Sequence, residues 1–541
     1  MNRFPGISDG VVNAGYPQQS KPRHLSSARC KVKHRSDDSQ LARKNVARHA
    51  DSLFNMPRHI VAFTYGLYGH LRPQIGFVSR LIMAEPDIVV SMIFDSRLMD
   101  PARARALLAH DLGGKSAENV NYYTLSKAAM FDGESIEAEF EEVYAKLLET
   151  ASIKPDCFLG EMGPYDTGSI VRKLSKNKTP KIIFWYPGPL SALYNNLHRW
   201  GDDIDRLMDI DFMAMASYDQ ASPSPSFESL LLLKTLYSQN KALPIPGFPT
   251  ISGNELFPQP ITQAPPFAIH VLAAKSTQMW LACDAMLAGT SEVLEPQQAA
   301  HLRSTMKARG RDLFTVGDNN RPVDIATVDP EVTKFLDGKA LKSVLYIGFG
   351  SITTHDTPEK FHAFMDVVLK LGIPFVLAHG EHAAPLPERF AKSELGLVLK
   401  WAPQEYILSH PSTGWFLSHA GFTSTKESLC SGVPMICWPL QYDQPLLAIL
   451  VAQVLGAGYE LEEVRGGPLG MQPRKSNGHT PVGTIEAVTK EAEEVLNKAF
   501  FNEAEHAKKQ AAVDKICKEL NSAWEEGGVS AGEVKRFLEF I

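Results

Sequence analysis

The stretch from Trp401 to Gln444 decides the fold prediction. It reads W-A-P-Q at 401–404, S-H-A-G-F-T-S-T-K-E-S at 418–428, G-V-P at 432–434 and Y-D-Q at 442–444. Short apolar runs at 415–417 and 433–438 alternate with polar turns, and a helix is predicted to begin at Thr423. Buried strands that alternate with helices are typical of an α/β domain with a parallel sheet.

The same alternation occurs along most of the chain. Strands are predicted at 57–65, 88–94, near 157–159, at 181–186 and within 284–296, and again at 343–349, 374–379 and 396–400. A chain of 541 residues exceeds the size at which one core stops growing. We therefore predict two Rossmann-like α/β domains, with these boundaries: a disordered extension at 1–55, a first domain at 56–301, a polar linker at 302–340, a second domain at 341–525 and a final helix at 526–541.

Composition excludes several classes of protein. The net charge of −6 and pI of about 6.3 give no overall attraction for nucleic acid. Six scattered cysteines without C-x-x-C pairs suggest neither a disulfide framework nor a zinc ribbon, which favours a reducing compartment. The cysteines thus favour the cytoplasm, and we expect a monomer. No apolar run reaches the length of a membrane span, so no transmembrane segment is predicted.

The stretch from Trp401 to Gln444 contains the groups needed to hold a nucleotide joined to a sugar. The turn from Ser418 to Ser424 leads into a helix, whose unpaired amide groups attract phosphate. Trp401 offers a flat face for a base, Glu427 can accept ribose hydroxyls, and Asp443 with Gln444 suits a vicinal diol. Each residue also has a structural explanation, as a cap, a core side chain or a solvated helix face, and their combination is what favours binding.

These motifs resemble the donor-binding signature of the family 1 UDP-glycosyltransferases. W-A-P-Q, H-x-G-x-x-S-x-x-E-S, G-V-P and D-Q occur with the spacing of that family, and P-G-F-P at 246–249, S-E-V-L-E-P at 291–296, Y-I-G-F-G-S at 346–351 and L-P-E-R-F at 386–390 match its other landmarks in order. The resemblance extends from Met56 to the C-terminus. It implies a GT-B fold, in which the first domain holds the acceptor, the second holds the UDP-sugar, and the last helix returns to the first domain.

The resemblance also implies roles for individual residues. Trp401 would stack on uracil and the Ala402 backbone would pair with its edge, while Gln404 and Glu427 would hold the ribose. The diphosphate would lie against Ser351, His419, Gly421, Thr423 and Ser424, and Asp443 and Gln444 would hold the sugar. Phe422 and Thr423 replace a Trp and an Asn that are usual in the plant enzymes, so we expect altered donor affinity, with Thr423 still donating one hydrogen bond.

The catalytic base is expected in the turn after the first strand. G-H-L-R-P at 69–73 resembles the family segment that carries a general base, which points to His70. Histidine titrates near neutral pH, so its neutral form can take a hydroxyl proton. Such a base needs a carboxylate on its other ring nitrogen. Glu161 is the first candidate, Asp166 the second and Asp156 the third.

The resulting hypothesis is an inverting, metal-independent hexosyl transfer, most simply from UDP-glucose, to a hydroxyl of a hydrophobic small molecule, as in secondary-metabolite glycosylation. No cofactor or metal is expected; UDP-sugar is a co-substrate. The alternatives are a non-catalytic sugar-nucleotide-binding paralogue, an epimerase or hydrolase on the same fold, and a nicotinamide dehydrogenase, which the missing third glycine after G-F-G disfavours. Apolar residues are candidates for the acceptor pocket and equally for the core, namely Phe184, Trp185, Leu190, Leu193, Tyr194 and Trp200.

Overall fold

The computed structural model describes residues 57–541 apart from 67, 129–131, 162, 164, 177, 200–241, 261–279, 318–327, 351–357 and 381–384. The predicted extension at 1–55 lies outside the described residues, as do Ser351 and Trp200. Residues 57–541 form one compact unit. Among the described residues, no helix combines the length and the apolar character that crossing a membrane requires.

The first half of the unit is a seven-stranded parallel sheet with the order β3-β2-β1-β4-β5-β8-β9. Its elements are β1 (His59–Thr64), α1 (Tyr68–Ala84), β2 (Val89–Asp95), α2 (Pro101–Asp111), β3 (Val120–Leu125), α3 (Gly133–Thr150), β4 (Cys157–Glu161), α4 (Thr167–Leu174), β5 (Lys181–Tyr186), α5 (Leu190–Arg199), the antiparallel pair β6 (Ala242–Leu243) and β7 (Ile251–Ser252), a 3-10 turn (Gly253–Leu256), β8 (Ala285–Ala288), α6 (Pro296–Ala308) and β9 (Asp312–Thr315).

The second half is a six-stranded parallel sheet with the order β12-β11-β10-β13-β14-β15. It comprises α7 (Pro330–Asp337), β10 (Val344–Gly348), α8 (Pro358–Lys370), β11 (Phe375–Ala378), α9 (Glu388–Ala391), β12 (Gly396–Leu399), α10 (Gln404–Ser409), β13 (Thr413–Ser418), α11 (Phe422–Cys430), β14 (Met435–Cys437), α12 (Gln444–Ile449), a π-helical turn (Leu450–Val454), β15 (Gly458–Glu460) and α13 (Gly467–Gly470). Helices α14 (Ile485–Phe500), α15 (Glu503–Ser522) and α16 (Val529–Phe540) complete the chain.

Both sheets have the parallel α/β topology that the sequence predicted. Their central strands are apolar along their length because helices cover both faces; Ile60, Val61, Ala62 and Phe63 of β1, for example, are fully buried. In each sheet the order in which successive strands are added reverses at one point. This point lies between β1 and β4 in the first sheet and between β10 and β13 in the second. Crevices open there at the carboxyl ends of the strands, and they are where ligands bind in such folds.

The last helix, α16, packs on the first sheet. Phe537 is buried and makes edge-on ring contacts with Phe77 of α1 and Phe314 of β9, at centroid distances of 5.3 and 5.5 Å. Val534 and Leu538 join the same apolar cluster. The end of the chain thereby covers apolar side chains of α1 and β9.

The structure differs from the prediction in the segment described as a polar linker at 302–340. Its first part continues α6, and β9 then pairs in parallel with β8 as an edge strand of the first sheet. The strand expected within 284–296 is only β8, because Pro296 begins α6. Strands β3 and β15 were not predicted at all.

A second connection between the halves is a buried cluster of charges. Glu255, in the 3-10 turn after β7, and Arg474, after α13, are both fully buried and form an ion pair of 3.2 Å. Arg474 also pairs with Glu460 of β15 at 2.9 Å. Beside them the Gly466 amide donates to the Pro258 carbonyl at 2.8 Å, and the turn from the first half is thereby fixed to the second.

Candidate active site

His70 lies in the first turn of α1, directly after the carboxyl end of β1. Its Nδ1 pairs with Oε1 of Glu161, the last residue of β4. Strands β1 and β4 are neighbours, so both side chains lie at the crevice of the first sheet. In the described part of the chain no group pairs with His70 Nε2, which leaves that nitrogen able to take a proton.

Glu161 is held rigidly. It is buried, and its second oxygen accepts a hydrogen bond of 2.8 Å from the backbone amide of Tyr65. A carboxylate fixed in this way requires Nδ1 of His70 to carry the hydrogen.

The other two candidate carboxylates lie elsewhere. Asp166 caps α4 through Ser169, and Asp156 precedes β4, at the opposite end of the sheet, where it accepts from the His59 amide at 2.9 Å and pairs with Lys178. The structure brings only Glu161 of the three to His70.

The predicted phosphate-binding turn lies at the crevice of the second sheet. Strand β13 ends at Ser418, and α11 begins at Phe422 with Gly421 as its cap, so the first amides of a nine-residue helix face the crevice. Ser424 lies in the first turn of this helix. The neighbouring turn after β10 has Gly350 at φ +79°, and a Cβ there would lie 2.9 Å from His419 Nε2. Glycine at that position makes room for the imidazole.

His419 is a neutral group in this setting. Burial lowers its pKa to about 4, although a hydrogen bond to the Gly348 carbonyl opposes the shift. An imidazole with that pKa is uncharged at neutral pH and has a single N–H, which is donated to the Gly348 carbonyl. His419 therefore supplies no positive charge, and donation to a phosphate requires the tautomer with the hydrogen on the other ring nitrogen.

The predicted base platform is open to solvent. Trp401 follows strand β12 of the second sheet and is 60% exposed. Its ring contacts that of Tyr68, in the first domain, edge-on at a centroid distance of 5.8 Å. The Ala402 side chain is buried beside it, which fixes the backbone at that point. The flat face of an exposed Trp is a suitable surface for a base.

The two predicted ribose ligands contact each other. Gln404 Nε2 donates to Glu427 Oε2 at 2.5 Å and to Ser424 Oγ at 3.2 Å, and its oxygen accepts from the Tyr346 hydroxyl at 3.0 Å. Burial, followed by the charge of Glu405, raises the pKa of Glu427 to about 7. The predicted ribose site therefore contains a carboxyl group whose pKa lies near neutral pH.

The predicted sugar clamp follows β14. Burial raises the pKa of Asp443 to about 6, against the opposing effects of a backbone hydrogen bond and of His70. The Gln444 oxygen accepts from the amides of Leu440 and Gln441 at 2.8 and 2.9 Å. Its amide nitrogen is therefore the end that can donate to a sugar hydroxyl. Tyr442, beside them, has φ +58° and an exposed ring.

Thr423 and Phe422 have structural roles that the sequence did not indicate. The Thr423 hydroxyl donates to the Gly69 carbonyl of the first domain at 2.9 Å. Phe422 is buried in the core of the second domain, with the Lys426 ammonium 5.0 Å from its ring centroid.

The apolar residues considered for the acceptor pocket belong to the core instead. Phe184, Trp185, Leu190, Leu193 and Tyr194 are all buried in the clusters that pack against the first sheet. Tyr194 stacks on His198 at 3.7 Å between ring centroids. Two Asp-Ile-Asp triplets, at 203–205 and 209–211, lie outside the described residues. Among the described residues, no group of three His, Cys, Asp or Glu side chains is suited to a metal ion.

Sequence reasoning missed Tyr68 and Arg72, which reach the second domain from either side of His70. The only signal was their position in the turn after the first strand. Nothing in the local pattern indicates which residues they contact.

Comparisons with known proteins agree with this geometry. The model of the family described as UDP-glucoronosyl and UDP-glucosyl transferase matches residues 321–465. The chain is similar to the UDP-glycosyltransferase eriJ of Hericium erinaceus, with 35% identity over 89% of this chain and 98% of that protein. It is also similar to UDP-glycosyltransferase 73C4 of Arabidopsis thaliana, with 25% identity over 90% and 96% of the two chains.

Solved structures show the same fold. UGT2 of Phytolacca americana, complexed with UDP-2fluoro-glucose and pterostilbene, matches with a TM-score of 0.64 at 20% identity, covering 90% of this chain and all of that one. A UDP-glucosyltransferase of Polygonum tinctorium also matches with a TM-score of 0.64, at 18% identity over 90% and 99% of the two chains. The predicted GT-B architecture is thus confirmed. Two facing Rossmann-like domains, a donor signature on the second and a full-length relative at this identity lead to one conclusion: the chain belongs to the UDP-glycosyltransferase family and is a glycosyltransferase.

Proposed function

We propose that this enzyme transfers a hexose, glucose in the first instance, from UDP to a hydroxyl of a hydrophobic small molecule, with inversion at the anomeric carbon. His70 is the general base and Glu161 is the carboxylate that orients it. We also propose that it acts as a monomer, because both halves of the proposed site belong to one chain, and that it is cytoplasmic, in line with its scattered cysteines.

The observation that carries this proposal is the pairing of His70 Nδ1 with the buried Glu161 carboxylate. It leaves Nε2 for the acceptor. The acceptor O–H gives its proton to Nε2, and the oxygen attacks the anomeric carbon from the face opposite UDP. The bond between that carbon and the β-phosphate oxygen breaks, and its electron pair leaves with UDP. Glu161 stabilises the imidazolium that forms.

The leaving group has protein partners for its developing charge. The unpaired amides at the start of α11 face the phosphate side of the crevice. His419 adds a donor only in the tautomer that releases the Gly348 carbonyl. We therefore propose that transfer needs neither a metal ion nor a cofactor, which predicts full activity in excess chelator.

The donor side of the proposal assigns uracil to Trp401 and Ala402, ribose to Gln404 and Glu427, and diphosphate to His419 and the 421–424 turn. Ser351 completes the diphosphate site. Asp443 accepts from sugar hydroxyls, while the Gln444 amide nitrogen donates to one. Relatives support the acceptor class: pterostilbene is bound to the Phytolacca enzyme, and the Polygonum enzyme is described as glucosylating indoxyl. Both are small and largely apolar.

The test combines an acceptor screen with a variant of the base. Phenols, sterols and lipids are incubated with UDP-glucose, the products are found by mass spectrometry, and NMR of the anomeric proton gives the configuration. In His70→Ala, transfer should fall by roughly 10²- to 10⁴-fold while UDP affinity stays within about twofold of wild type. Retained configuration, or a His70→Ala variant with wild-type turnover, would overturn the mechanism.

A further inference from the structure

Arg72 connects the first domain to the ribose side of the donor site. It lies on α1, two residues after His70, and its side chain is almost completely buried. The guanidinium makes two hydrogen bonds to Asp111, at the end of α2, of 2.9 and 3.1 Å. Its Nη2 also lies 3.5 Å from Oε1 of Glu405, which belongs to the second domain. A cation oriented by one domain thus reaches an anion of the other.

Glu405 stands beside the predicted ribose ligands. It follows Gln404 in the first turn of α10, and Gln404 is hydrogen-bonded to Glu427. Glu405 and Glu427 carry like charges, and their proximity raises the pKa of Glu427, second only to burial. A second carboxylate at this point disfavours the ionised form of the ribose ligand.

Other charged and titratable groups also face Glu427. Lys426, its neighbour on α11, favours the ionised carboxylate, as Arg72 does. The Tyr68 and Tyr346 hydroxyls are near enough for Glu427 to raise the pKa of each, after the larger effect of burial. Both tyrosines remain neutral at physiological pH. The hydrogen bond from Gln404 also favours the carboxylate, and more strongly than either cation. The protonation of Glu427 therefore depends on burial and Glu405 on one side and on Gln404, Arg72 and Lys426 on the other.

We propose that Arg72 is a positioning residue for the donor nucleotide: its ion pair with Glu405 offsets that charge and favours the carboxylate form of Glu427, which can accept two ribose hydroxyls. A protonated Glu427 would have one oxygen occupied by hydrogen and could accept fewer hydrogen bonds. This inference rests on the proposed role of Glu427 in holding ribose. It adds that the ribose site is complete only when the first domain contributes its guanidinium.

The experiment measures the affinities of UDP and 2′-deoxy-UDP by titration calorimetry between pH 5.5 and 9. Their ratio reports the ribose contact, because titration of the phosphates cancels. In wild type the ratio should rise with pH through a midpoint near 7, which is about the pKa of Glu427. Arg72→Gln should move that midpoint up by about one unit, and Glu405→Gln should move it down. The double variant should lie between the two.

Two further variants separate the possible failures. Arg72→Lys keeps the charge, so its midpoint should stay close to that of wild type. A shift seen in Arg72→Gln but absent in Arg72→Lys therefore reports the lost charge. Glu427→Gln should abolish the pH dependence of the ratio. If it does so while Arg72→Gln leaves the midpoint unmoved, or moves it in the same direction as Glu405→Gln, the inference about Arg72 is wrong and the ribose assignment stands. If Glu427→Gln changes nothing, the ribose assignment fails and this inference fails with it.

Discussion

Thr423 Oγ1 donates a hydrogen bond of 2.9 Å to the carbonyl of Gly69, the residue before His70. The two residues are 354 positions apart in the chain and belong to different domains. A threonine hydroxyl has one hydrogen to donate, and here it is given to the first domain. Donation from Thr423 to the sugar nucleotide stays a prediction, and it would require the hydroxyl to leave the Gly69 carbonyl. In the structure the hydroxyl connects the start of the predicted phosphate-binding helix to the turn that carries the proposed base.

We predict that Thr423→Val lowers kcat/KM for transfer about fivefold, equivalent to the roughly 1 kcal/mol of one neutral hydrogen bond. Valine keeps the shape of threonine but cannot hold the Gly69 carbonyl, so His70 is positioned less well against the donor. Steady-state kinetics with a fixed acceptor would measure the change. Thr423→Ser, which keeps the hydroxyl, is the matched control and should retain most of the activity. An equal loss of UDP affinity in the valine variant would show that the hydroxyl serves the nucleotide instead.

A second prediction concerns the carboxylate at His70. Glu161→Gln should reduce kcat by at least about 10²-fold with little change in KM for the UDP-sugar, because the amide cannot stabilise the imidazolium and can impose the wrong tautomer. Single-turnover rates at saturating donor would measure the chemical step. Asp166→Asn and Asp156→Asn are controls for the two carboxylates that lie away from His70, and both should keep near wild-type kcat. A loss in either control comparable with that of Glu161→Gln would contradict the assignment.

Most of the fold could be predicted because its central strands are buried on both faces. Residues 60–63 of β1 are apolar in succession, which no exposed segment sustains. Edge strands give a weaker signal. In β3 only the first and last residues, Val120 and Leu125, are buried, and β9 is four residues long in a charged context. Their pairing depends on the neighbouring strand, so a local pattern could not place them.

The proposed donor site could be located in the sequence for a different reason. Its groups lie within one short stretch, from Trp401 to Gln444, where spacing along the chain carries the information. Contacts between domains leave no such trace. Arg72 with Glu405, or Thr423 with Gly69, are separated by hundreds of residues, and hydrophobic periodicity reports only on neighbours in sequence.

A third prediction follows from the buried imidazole of His419. Its pKa of about 4 in the folded state lies below the ordinary value of 6.5, so the unfolded chain binds this proton more readily. Folding stability from this group is complete above pH 6.5 and is lost as the pH falls towards 4, by up to about 3 kcal/mol. Between pH 7.5 and 4.5, the free energy of unfolding measured in urea should therefore fall less in His419→Gln than in wild type. Parallel curves for the two proteins would indicate that His419 titrates normally.

The final prediction concerns the buried charges that join the domains behind the cleft. Arg474→Met would leave Glu255 and Glu460 without their shared cation in a fully buried setting, and breaking such a cluster costs about 3–5 kcal/mol. Burial alone would raise the pKa of Glu255, but hydrogen bonds from Ser476 and Ser252 and the charge of Arg474 leave it lowered overall. The stability contributed by Glu255 is therefore present above its unfolded pKa and lost as the pH falls through the lowered folded value. Removing Arg474 should weaken this acid dependence as well as the stability at pH 7.

Chemical denaturation of Arg474→Met and of a matched surface variant would test this directly. Arg389→Met removes an exposed pair with Asp366 and should leave the midpoint nearly unchanged, because solvent screens such pairs. A single cooperative transition at lower denaturant is expected for Arg474→Met if the cluster unites the two domains. Two separated transitions would also support that role, since each domain would then unfold by itself. An Arg474→Met midpoint as high as that of Arg389→Met would mean that the domains are held by apolar packing and that the buried charges add little.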